Sequence, residues 1–579
     1  MSDKLEHFLH SVLCILPPKL IDQVMLNVIF DKPNCHFFIC FYLFLGGFLA
    51  AQNLTAATTE ALKNDLKKEI EAAKKGMLLI DDAKAHRVEA LQQFYEKRSY
   101  EPVWFNEKQA IEKANLFLPC IASSYDNGLS PNDYHYEVLS KYLTNKEDLK
   151  NSEWQAIELL LSDAYLLMAK HYLQGKVDAQ ALGLKWYHKK RKFDLIFYFE
   201  EALRENDLCE SLNRLLPIHE EYEVLKKVLR YYRSIDHWGY IGVAWRSDST
   251  FLLERSAIHP VVIDVRQCLQ QNGDLAEAPL TMLFDDKVEV ALKQFQARHN
   301  IFPSGKITAK TLHALNQSRN NRIAQIKANM ERWRWVNDDF GPNYIAINIP
   351  DFTLKYYENY TQTYAEKVVV GRKESPTPAF RDDMTYLVLN PYWNIPRSIV
   401  LNELAPEVRS DTSYLVYNGI EVLQGDTPVN QAAIDWQTAD YGAYLFRQKA
   451  SEYNPMGVIK FMFPNNHQVY MHDTPLRYLF NNATRSYSHG CIRLNEPLSF
   501  SYHILRNNPD WAPEHIDTAL QVQNETIVSL KQSIPINTFY WTVFVEEERG
   551  VNFREDLYDW DLQVNKALEQ KITTTSLEN

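Results

Sequence analysis

The stretch YMHDT, Tyr470–Thr474, is followed after a loop by SYSHGCIRL, Ser486–Leu494. His472 lies at the end of one predicted strand and Cys491 at the start of another. Neighbouring strands lie about 4.8 Å apart, so pairing of these two in the right register would bring the imidazole to the thiol. The two stretches therefore predict paired strands that carry a cysteine and a histidine.

These residue types fit a nucleophilic site. A thiol attacks well near neutral pH when a nearby imidazole lowers its pKa or removes its proton. Gly490 would let a substrate backbone approach closely, and the amides of residues 489–491 would serve as an oxyanion hole. Arg493 follows Cys491 by two residues and so faces the same side of the strand, where its charge would favour a thiolate or bind a substrate carboxylate.

Spacing alone leaves three interpretations open. The first is a catalytic cysteine–histidine pair. The second is structural, because a single cysteine is commonly a small buried hydrophobe and a single histidine a hydrogen-bonded core residue. The third is a metal site formed by His467, His472, His489 and Cys491, although their spacing lacks a usual ligand pattern.

A pattern of period two surrounds these stretches and indicates a mainly β domain. The predicted strands are Ile345–Ile349, Val368–Val370, Tyr386–Leu389 and Thr538–Glu546, and a hairpin of Val458–Phe463 and His467–His472. Residues 398–450 lack the alternation and predict a mostly helical and loop insertion. Insertions of this size near a site commonly serve as lids.

Residues 57–250 show helical periodicity instead. In Trp154–Tyr172, apolar residues recur at spacings of three and four, which predicts a helix with one wide apolar face. Nothing in residues 57–250 gathers catalytic residue types, so we interpret this part as a scaffold.

A compact three-helix module is predicted for Ile258–Asn316. Pro260 opens the first helix, Asp286–Arg298 forms the second, and Thr308 is the predicted N-cap of the third. One more helix ends in Met330–Trp335, where the pattern changes to period two.

The N-terminal region contains an export signal. Phe37–Ala51 is a run of fifteen residues without a charge. A membrane-spanning helix needs roughly 20 apolar residues and a signal-peptide core roughly 7 to 15, so the length favours a cleaved signal peptide, with an uncleaved inner-membrane anchor as the alternative. Residues 25–51 alone have the proportions of a signal peptide, which leaves Met25 as an alternative start. We expect the chain after about residue 52 to lie outside the cytoplasm.

Composition bounds the class of protein. The chain has 579 residues, 46% of them hydrophobic, which is enough for several folded domains. Its formal net charge of −12 argues against nucleic acid as a main partner, because phosphates require a basic surface. The seven cysteines are too few and too scattered to predict a disulfide scaffold. The sequence contains no CxxC pair that would suggest structural zinc. Most of the cysteines need no special role.

The segment around Cys491 resembles the signature of the L,D-transpeptidases with a YkuD-like catalytic domain, in which a histidine strand precedes a Ser-x-Gly-Cys-(Ile/Val)-Arg strand. Other segments resemble, in order, the large YcbB-type members from Gram-negative bacteria. They are YEKRSYEPVWF (95–105), the module sequence of 288–316, MERWRWV (330–336), VVVGRKESPTPAF (368–380), LNPYWNIPRSIV (389–400) and NFREDLY (552–558).

The resemblance implies a multidomain α+β chain with a helical scaffold, a peptidoglycan-binding module and a mainly β catalytic domain with an inserted helical capping subdomain. The predicted segments are 1–51 (signal peptide or membrane anchor), 52–257 (scaffold), 258–317 (module), 318–342 (helical linker), 343–565 (catalytic domain, with the cap at 398–450) and 566–579 (tail).

The resemblance also implies a two-step acyl transfer in the periplasm. The Cys491 thiolate, with His472 as base, would attack the stem peptide at its third residue, release D-alanine and leave a thioester. A diaminopimelate amine of a second stem would resolve the thioester into a 3→3 cross-link. The other site residues implied are Tyr470, Asp473, Ser488, His489, Gly490 and Arg493. No nucleotide or metal cofactor is implied, carbapenems are expected to acylate the same thiol, and other cell-wall synthesis enzymes are candidate partners.

Two positions depart from many smaller relatives. Asp473 stands where they have glycine, so either its carboxylate or its backbone carbonyl would orient His472. His489 stands where some have serine, which places a second imidazole two residues from the nucleophile and leaves its role open.

Three alternatives remain. The same thioester would pass to another acceptor: water, which makes the enzyme an L,D-carboxypeptidase, a free D-amino acid, or a lysine of an envelope protein. A different class is a non-catalytic wall-binding scaffold that acts through the module. The third is a zinc hydrolase.

Overall fold

The computed structural model describes residues 59–571 except 74–78, 81–82, 105–109, 145–150, 240, 242–252, 452, 523 and 547–549. They form two compact units. The first contains the described residues up to Leu182, those of Lys189–Asp338 and those from Thr542 onward, and the second contains Gly183–His188 and the described residues of Asp339–Trp541. The first unit is mainly helical and the second is rich in strands, which confirms the predicted fold class.

The scaffold part of the first unit is built around one long helix. Its elements are α1 (Thr59–Ala73), β1 (Leu79–Ile80), β2 (Ala83–Lys84), α2 (Val88–Lys97), α3 (Ala110–Ser123), α4 (Tyr136–Thr144), α5 (Asn151–Gln174), α6 (Leu195–Glu205), α7 (Leu208–Asn213) and α8 (Glu220–Ser234). Helix α5 is buried at every residue from Trp154 to Ala169. The predicted helix is confirmed, but the prediction of one apolar face is wrong, because neighbouring elements surround α5.

Buried polar groups on α5 are satisfied by local partners. The Glu158 carboxylate accepts hydrogen bonds from the Tyr95 hydroxyl at 2.7 Å and from the backbone N–H groups of Val103 and Trp104 at 2.7 and 3.0 Å. Burial raises the pKa of Glu158 to about 7. These contacts give YEKRSYEPVWF a structural role in the scaffold.

The small module contains the three predicted helices, α9 (Val261–Gln271), α10 (Asp286–Arg298) and α11 (Ala309–Leu315). The Thr308 hydroxyl accepts the Thr311 N–H at 3.3 Å, which confirms the predicted N-cap. The predicted apolar side of α10 is buried in the core of the module; its residues are Val288, Ala291, Leu292 and Phe295. Helix α12 (Arg319–Trp333) follows, also as predicted.

The second unit is a sheet that closes on itself. Its strands are β3 (Tyr344–Asn348), β4 (Thr353–Glu358), β5 (Thr361–Gly371), β6 (Arg381–Leu389), β11 (Ile459–Met462), β12 (Met471–His472), β13 (Ser486–Ser488), β14 (Ile492–Leu494) and β15 (Thr526–Phe539). Their order is β13-β5-β14-β12-β11-β6-β15-β3-β4, and β4 also pairs with β5, which closes eight of them into a ring. The predicted hairpin is confirmed as β11 and β12, with Lys460 opposite His472.

A short segment from the N-terminal half belongs to this unit. Trp186 forms a parallel bridge with Ala379. His188 donates from Nε2 to the Thr538 carbonyl at 2.9 Å, and the Tyr187 ring stacks on His467. Periodicity could not predict this, because the segment has no regular secondary structure of its own.

The insertion at 398–450 contains the helices and loops that the sequence predicts, together with short strands. It contains short helices, α13 (Arg397–Ile399), α14 (Ala405–Ser410) and α15 (Tyr414–Tyr417), and a single π-helical turn, Val400–Leu404. It also contains a four-stranded antiparallel sheet with β7 (Trp393–Asn394), whose other strands are β8 (Ile420–Gln424), β9 (Thr427–Pro428) and β10 (Leu445–Gln448). The predicted helical and loop insertion is confirmed. Its strands are an addition that the sequence did not predict, because they are too short to produce a clear alternation. We call residues 398–450 the cap; a hydrophobic core that includes Trp436 and Phe446 holds it together.

Two helices follow β14 in the second unit, α16 (Pro497–Leu505) and α17 (Pro513–Gln521). After β15 the chain returns to the first unit as β16 (Val543–Glu546), β17 (Gly550–Phe553) and α18 (Trp560–Glu569). Asn329 of α12 exchanges hydrogen bonds with Thr542, and Arg332 forms a buried ion pair with Asp561 at 2.5 Å. The second unit thus ends at Trp541, before the predicted limit of the catalytic domain at 565.

Cysteine pairing adds a feature that the sequence did not predict. Cys120 of α3 and Cys209 of α7 form a disulfide, with their Cα atoms 5.5 Å apart. Among the described residues Cys268 and Cys491 are free, the first buried and the second half-buried.

The predicted signal segment 37–51 lies outside the described residues. Within the described ranges no helix has the length and apolar character needed to cross a membrane.

The cysteine arrangement is testable by thiol titration of the protein from residue 52 onward, which contains Cys120, Cys209, Cys268 and Cys491. We expect one reactive thiol in the folded protein at pH 8, because burial raises the pKa of Cys268 to about 12. Unfolding should expose a second thiol, and reduction two more. Four thiols in unfolded, unreduced protein would contradict the disulfide.

Candidate active site

Strand pairing brings the two sequence motifs together. Strands β12 and β14 are parallel neighbours, with Met471 opposite Ile492 and His472 opposite Arg493. The Ile492 N–H donates to the Tyr470 carbonyl at 3.1 Å. Cys491 immediately precedes β14, so the predicted adjacency of the histidine and cysteine strands is confirmed.

The His472 ring is held in one orientation. Its Nδ1 donates to the backbone carbonyl of Asp473 at 2.5 Å, and the side chain is buried. A proton on Nδ1 leaves the lone pair on Nε2, so Nε2 is the basic atom. Burial and the positive charge of Arg493 lower the pKa of His472 to about 3, which keeps the imidazole neutral at physiological pH.

The Asp473 carboxylate has a separate task. It accepts the backbone N–H groups of Val458 at 2.9 Å and Thr474 at 2.7 Å, and it forms an ion pair with Arg477. Burial raises the pKa of this carboxyl group. The backbone carbonyl of Asp473 therefore orients His472, while its side chain fixes the surrounding chain.

The Cys491 thiol has hydrogen-bonding partners on the segment that leads into β12. Burial raises the pKa of the thiol, while the Tyr470 backbone N–H and hydroxyl, which donate to the sulfur, and the charge of Arg493 lower it. The Cys491 thiol donates a hydrogen bond to the Gln468 carbonyl, with Sγ 3.8 Å from the oxygen. Gln468 has a φ of 57°, a strained conformation that is common at functional sites and that sequence patterns do not show.

Arg493 acts on both reactive groups. Its charge lowers the pKa of His472 and of Cys491 together, which opposes protonation of the imidazole and favours the thiolate. Burial lowers the pKa of the guanidinium itself, and its Nε has no hydrogen-bond partner among the described residues. The desolvation of both groups favours a resting pair of neutral thiol and neutral imidazole.

The loop before the cysteine is tied down by hydrogen bonds. The Ser488 hydroxyl donates to the Cys491 carbonyl at 2.5 Å and accepts the Gly490 N–H at 3.1 Å. Gly490 has a φ of 121°, which only glycine adopts without strain. The Thr377 hydroxyl donates to the Gly490 carbonyl at 2.8 Å. The Gly490 amide is thus already engaged, and Thr377 is a supporting residue that sequence reasoning missed.

His489 lies between two charged side chains. Its Nε2 is 2.8 Å from Glu403 Oε1 and 2.9 Å from Arg372 Nη2. The Arg372 N–H also donates to the Ser488 carbonyl at 2.9 Å. Glu403 comes from the π-helical turn of the cap, and no sequence signal connected either charged residue to the motif.

In the described part of the chain, no three histidine, cysteine, aspartate or glutamate side chains are grouped to hold a metal ion. His467, one of the candidate ligands, packs between the rings of Tyr187 and Phe380.

Family comparison identifies this domain. Residues 342–510 match the L,D-transpeptidase catalytic domain (YkuD). The chain carries an L,D-transpeptidase catalytic domain. Residues 259–315 match a “Putative peptidoglycan binding domain” and residues 89–229 a “Scaffold domain”, so the family resemblance noted in the sequence is confirmed. Cys491, His472 and their neighbours all lie within the range that matches the L,D-transpeptidase domain.

Individual relatives agree with this assignment. A Haemophilus influenzae protein named “Putative L,D-transpeptidase” is 31% identical over 254 residues, which is 43% of this chain and 51% of that protein. The chain thus matches about half the length of this curated relative.

Similar solved structures include two L,D-transpeptidases. One from Enterococcus faecium has 11% identity over 35% of this chain and 53% of its own, with a TM-score of 0.17. One from Xylanimonas cellulosilytica has 10% identity over 51% of this chain and 100% of its own, with a TM-score of 0.15. These scores are too low to define a shared architecture.

The Asp473 arrangement predicts that Gly457 is essential. Gly457 has a φ of +59°, and a Cβ added there would collide with the Asp473 carboxylate. We expect Gly457→Ala to lower the free energy of unfolding by about 2–4 kcal/mol, measured by urea denaturation.

Gly425→Ala is the matched control, because Gly425 has a φ of +61° and no atom within 4 Å of an added Cβ. It should show only the backbone penalty of about 1 kcal/mol. Equal losses in the two variants would show that the contact with Asp473 has no energetic weight.

Proposed function

We propose that this protein is a peptidoglycan L,D-transpeptidase that forms 3→3 cross-links through a thioester on Cys491. The observation that carries the proposal is the arrangement around the sulfur. Tyr470 donates to Cys491, and the neighbouring strand carries a neutral imidazole, His472, whose Nδ1 is fixed by a carbonyl. This arrangement lies within an L,D-transpeptidase catalytic domain.

The first step is acylation. Cys491 transfers its proton to His472 Nε2 as its sulfur attacks the carbonyl carbon of the third stem residue of a tetrapeptide. The tetrahedral intermediate collapses when the C–N bond to D-alanine breaks. The imidazolium returns the proton to the departing amine, so D-alanine leaves neutral at nitrogen and the thioester remains.

The second step transfers the acyl group. The amine of a diaminopimelate side chain on a second stem attacks the thioester carbonyl, and the C–S bond breaks. The amine proton passes through His472 to the sulfur, which restores the thiol. The energy of the old amide bond is carried by the thioester into the new one, so the reaction needs neither a nucleotide nor a metal ion.

Arg493 has a defined role in this scheme. When thiol and imidazole are both neutral at rest, negative charge develops on the sulfur only as attack begins. The Arg493 guanidinium stabilises this charge. The same guanidinium opposes protonation of His472. Tyr470 contributes two further donors to the same sulfur. The pair is then activated by substrate rather than held as a reactive thiolate, and carbapenems are expected to acylate it.

The setting of the reaction is proposed to be the periplasm. The Cys120–Cys209 disulfide fits an oxidising compartment, and peptidoglycan-acting domains fit an exported protein. Residues 37–51 are proposed to direct export or to anchor the chain in the inner membrane. The module at 258–317 is proposed to bind peptidoglycan, and the cap is proposed to restrict water at the thioester.

Product analysis tests the proposal. Purified protein is incubated with disaccharide-tetrapeptide muropeptides, alongside Cys491→Ala and His472→Gln, and the products are separated by mass. We expect a dimer lacking one D-alanine from the wild type, none from Cys491→Ala, and a rate reduced about 100-fold or more by His472→Gln. His515→Gln, which changes an exposed histidine, should match the wild type.

The other outcomes separate the alternatives. Tripeptide without dimer would make the protein an L,D-carboxypeptidase. A folded wild type that releases no D-alanine would contradict the proposal and favour a non-catalytic scaffold. Cys491→Ala is expected to stay folded, because the half-buried thiol adds little packing.

A further inference from the structure

A pair of opposite charges stands beside the nucleophile. Glu403 Oε1 and Arg372 Nη2 both lie within hydrogen-bonding distance of His489 Nε2, at 2.8 and 2.9 Å. His489 is two residues before Cys491, so the backbones of these two residues lie within about 7 Å of each other. One small ligand can therefore contact both charges near the site of acyl transfer.

The hydrogen bonds of His489 cannot all persist in one state. A neutral Nε2 either donates its proton to Glu403 or accepts one from Arg372, but it cannot do both. One of the two charged groups is therefore incompletely satisfied whenever the imidazole is neutral. Both charged side chains are exposed, so a ligand can reach them.

The backbone positions of both groups are set. Arg372 is anchored because its N–H donates to the Ser488 carbonyl and its carbonyl accepts the Ser375 N–H, both at 2.9 Å. Glu403 lies in the π-helical turn Val400–Leu404, whose Leu404 is buried in the core of the cap. Single π-helical turns within helices are frequent at functional sites. One charge thus comes from the residue that follows β5, and the other comes from the cap.

We infer that Glu403 and Arg372 select the acceptor amine by recognising a carboxylate on the same carbon. Glu403 would bind the ammonium form of the amine and Arg372 the carboxylate, as guanidinium groups do in a bidentate manner. This inference rests on the proposed function. It ranks the acceptors: an amino-acid centre with both groups is favoured over an isolated amine, such as a lysine side chain, and over water.

The chemistry of the second step agrees with this choice. An ammonium ion is not nucleophilic, so the bound amine must lose one proton before its nitrogen attacks the thioester carbonyl. This first proton leaves to solvent water. As the C–N bond forms, the nitrogen loses a second proton to His472 Nε2, and that proton passes to the Cys491 sulfur as the C–S bond breaks. The carboxylate held by Arg372 stays unchanged and fixes the orientation of the amine.

Acceptor competition tests the inference with full-length protein and a tetrapeptide donor. The acceptors are D-methionine, D-methioninamide, which lacks the carboxylate charge, and Nα-acetyl-lysine, whose amine is remote from its carboxylate. Products are counted as aminolysis or hydrolysis of the same thioester, so donor consumption is the internal reference. We expect the wild type to favour D-methionine over each of the other two acceptors by at least about five-fold.

Substitutions locate the two contacts. Glu403→Gln should lower the aminolysis-to-hydrolysis ratio with D-methionine at least about five-fold. Arg372→Gln should abolish the preference for D-methionine over D-methioninamide. Glu407→Gln, an exposed acidic residue of the same part of the cap, should keep the wild-type ratio.

The outcomes are distinguishable. If D-alanine is released but the wild type uses D-methioninamide as well as D-methionine, or if Glu403→Gln keeps the wild-type ratio, the inference is overturned and the proposed function stands. If the wild type releases no D-alanine from the donor, both are overturned.

Discussion

The site depends on one hydrogen bond, from His472 Nδ1 to the backbone carbonyl of Asp473. This bond fixes the ring and assigns the lone pair to Nε2. A backbone carbonyl holds its position only when its own peptide is held, and the Asp473 carboxylate does this by accepting the N–H groups of Val458 and Thr474. The residue thus works through both its backbone and its side chain.

The same contacts connect the base to the cap. The chain leaves the cap through a segment that contains Asn454 and leads to Val458. The buried Asn454 amide donates to the Pro391 carbonyl at 2.9 Å, and Pro391 lies on the segment that enters the cap. The Asn454 Oδ1 accepts the Met456 N–H at 2.8 Å. The two segments that connect the cap to the sheet are therefore hydrogen-bonded to each other. This contact lies a few residues from the hydrogen bond between Val458 and Asp473.

Burial and charge act in opposite directions at the nucleophile. Desolvation raises the pKa of Cys491 and lowers that of His472, so it favours the neutral form of each. The charge of Arg493 opposes the rise in the pKa of Cys491 and adds to the fall in the pKa of His472. Under the proposed function this balance gives a thiol that ionises as it reacts, and such a thiol resists oxidation in the proposed periplasmic setting.

Sequence patterns predicted the parts of the molecule whose cause is local. The β11–β12 hairpin, the three helices of the module and the Thr308 cap follow from periodicity and capping chemistry, and the pairing of the histidine and cysteine strands follows from two short motifs. The partners that arrive from distant segments were not predictable. Glu403, Arg372 and Thr377 meet residues 488–490 only because the sheet and cap bring them there, and the strands of the cap were too short to show a period.

The role of Asp473 shows the limit most clearly. Its position beside His472 is evident in the sequence. Whether its carbonyl or its carboxylate orients the ring depends on what binds the carboxylate. The partners of the carboxylate are Val458, on another segment, and Arg477, four residues further along the chain. Likewise, Cys120 and Cys209 are 89 positions apart, and only the packing of the scaffold pairs them.

The most direct test of this account is the protonation state of His472, measured by ¹⁵N NMR with histidine-labelled protein and assigned by comparison with His472→Gln. The account predicts a neutral ring with its proton on Nδ1 that does not titrate between pH 5 and pH 8, because its pKa is lowered to about 3. A doubly protonated ring at pH 7 that becomes neutral in Cys491→Ala would contradict it, because that result would show a preformed thiolate–imidazolium pair.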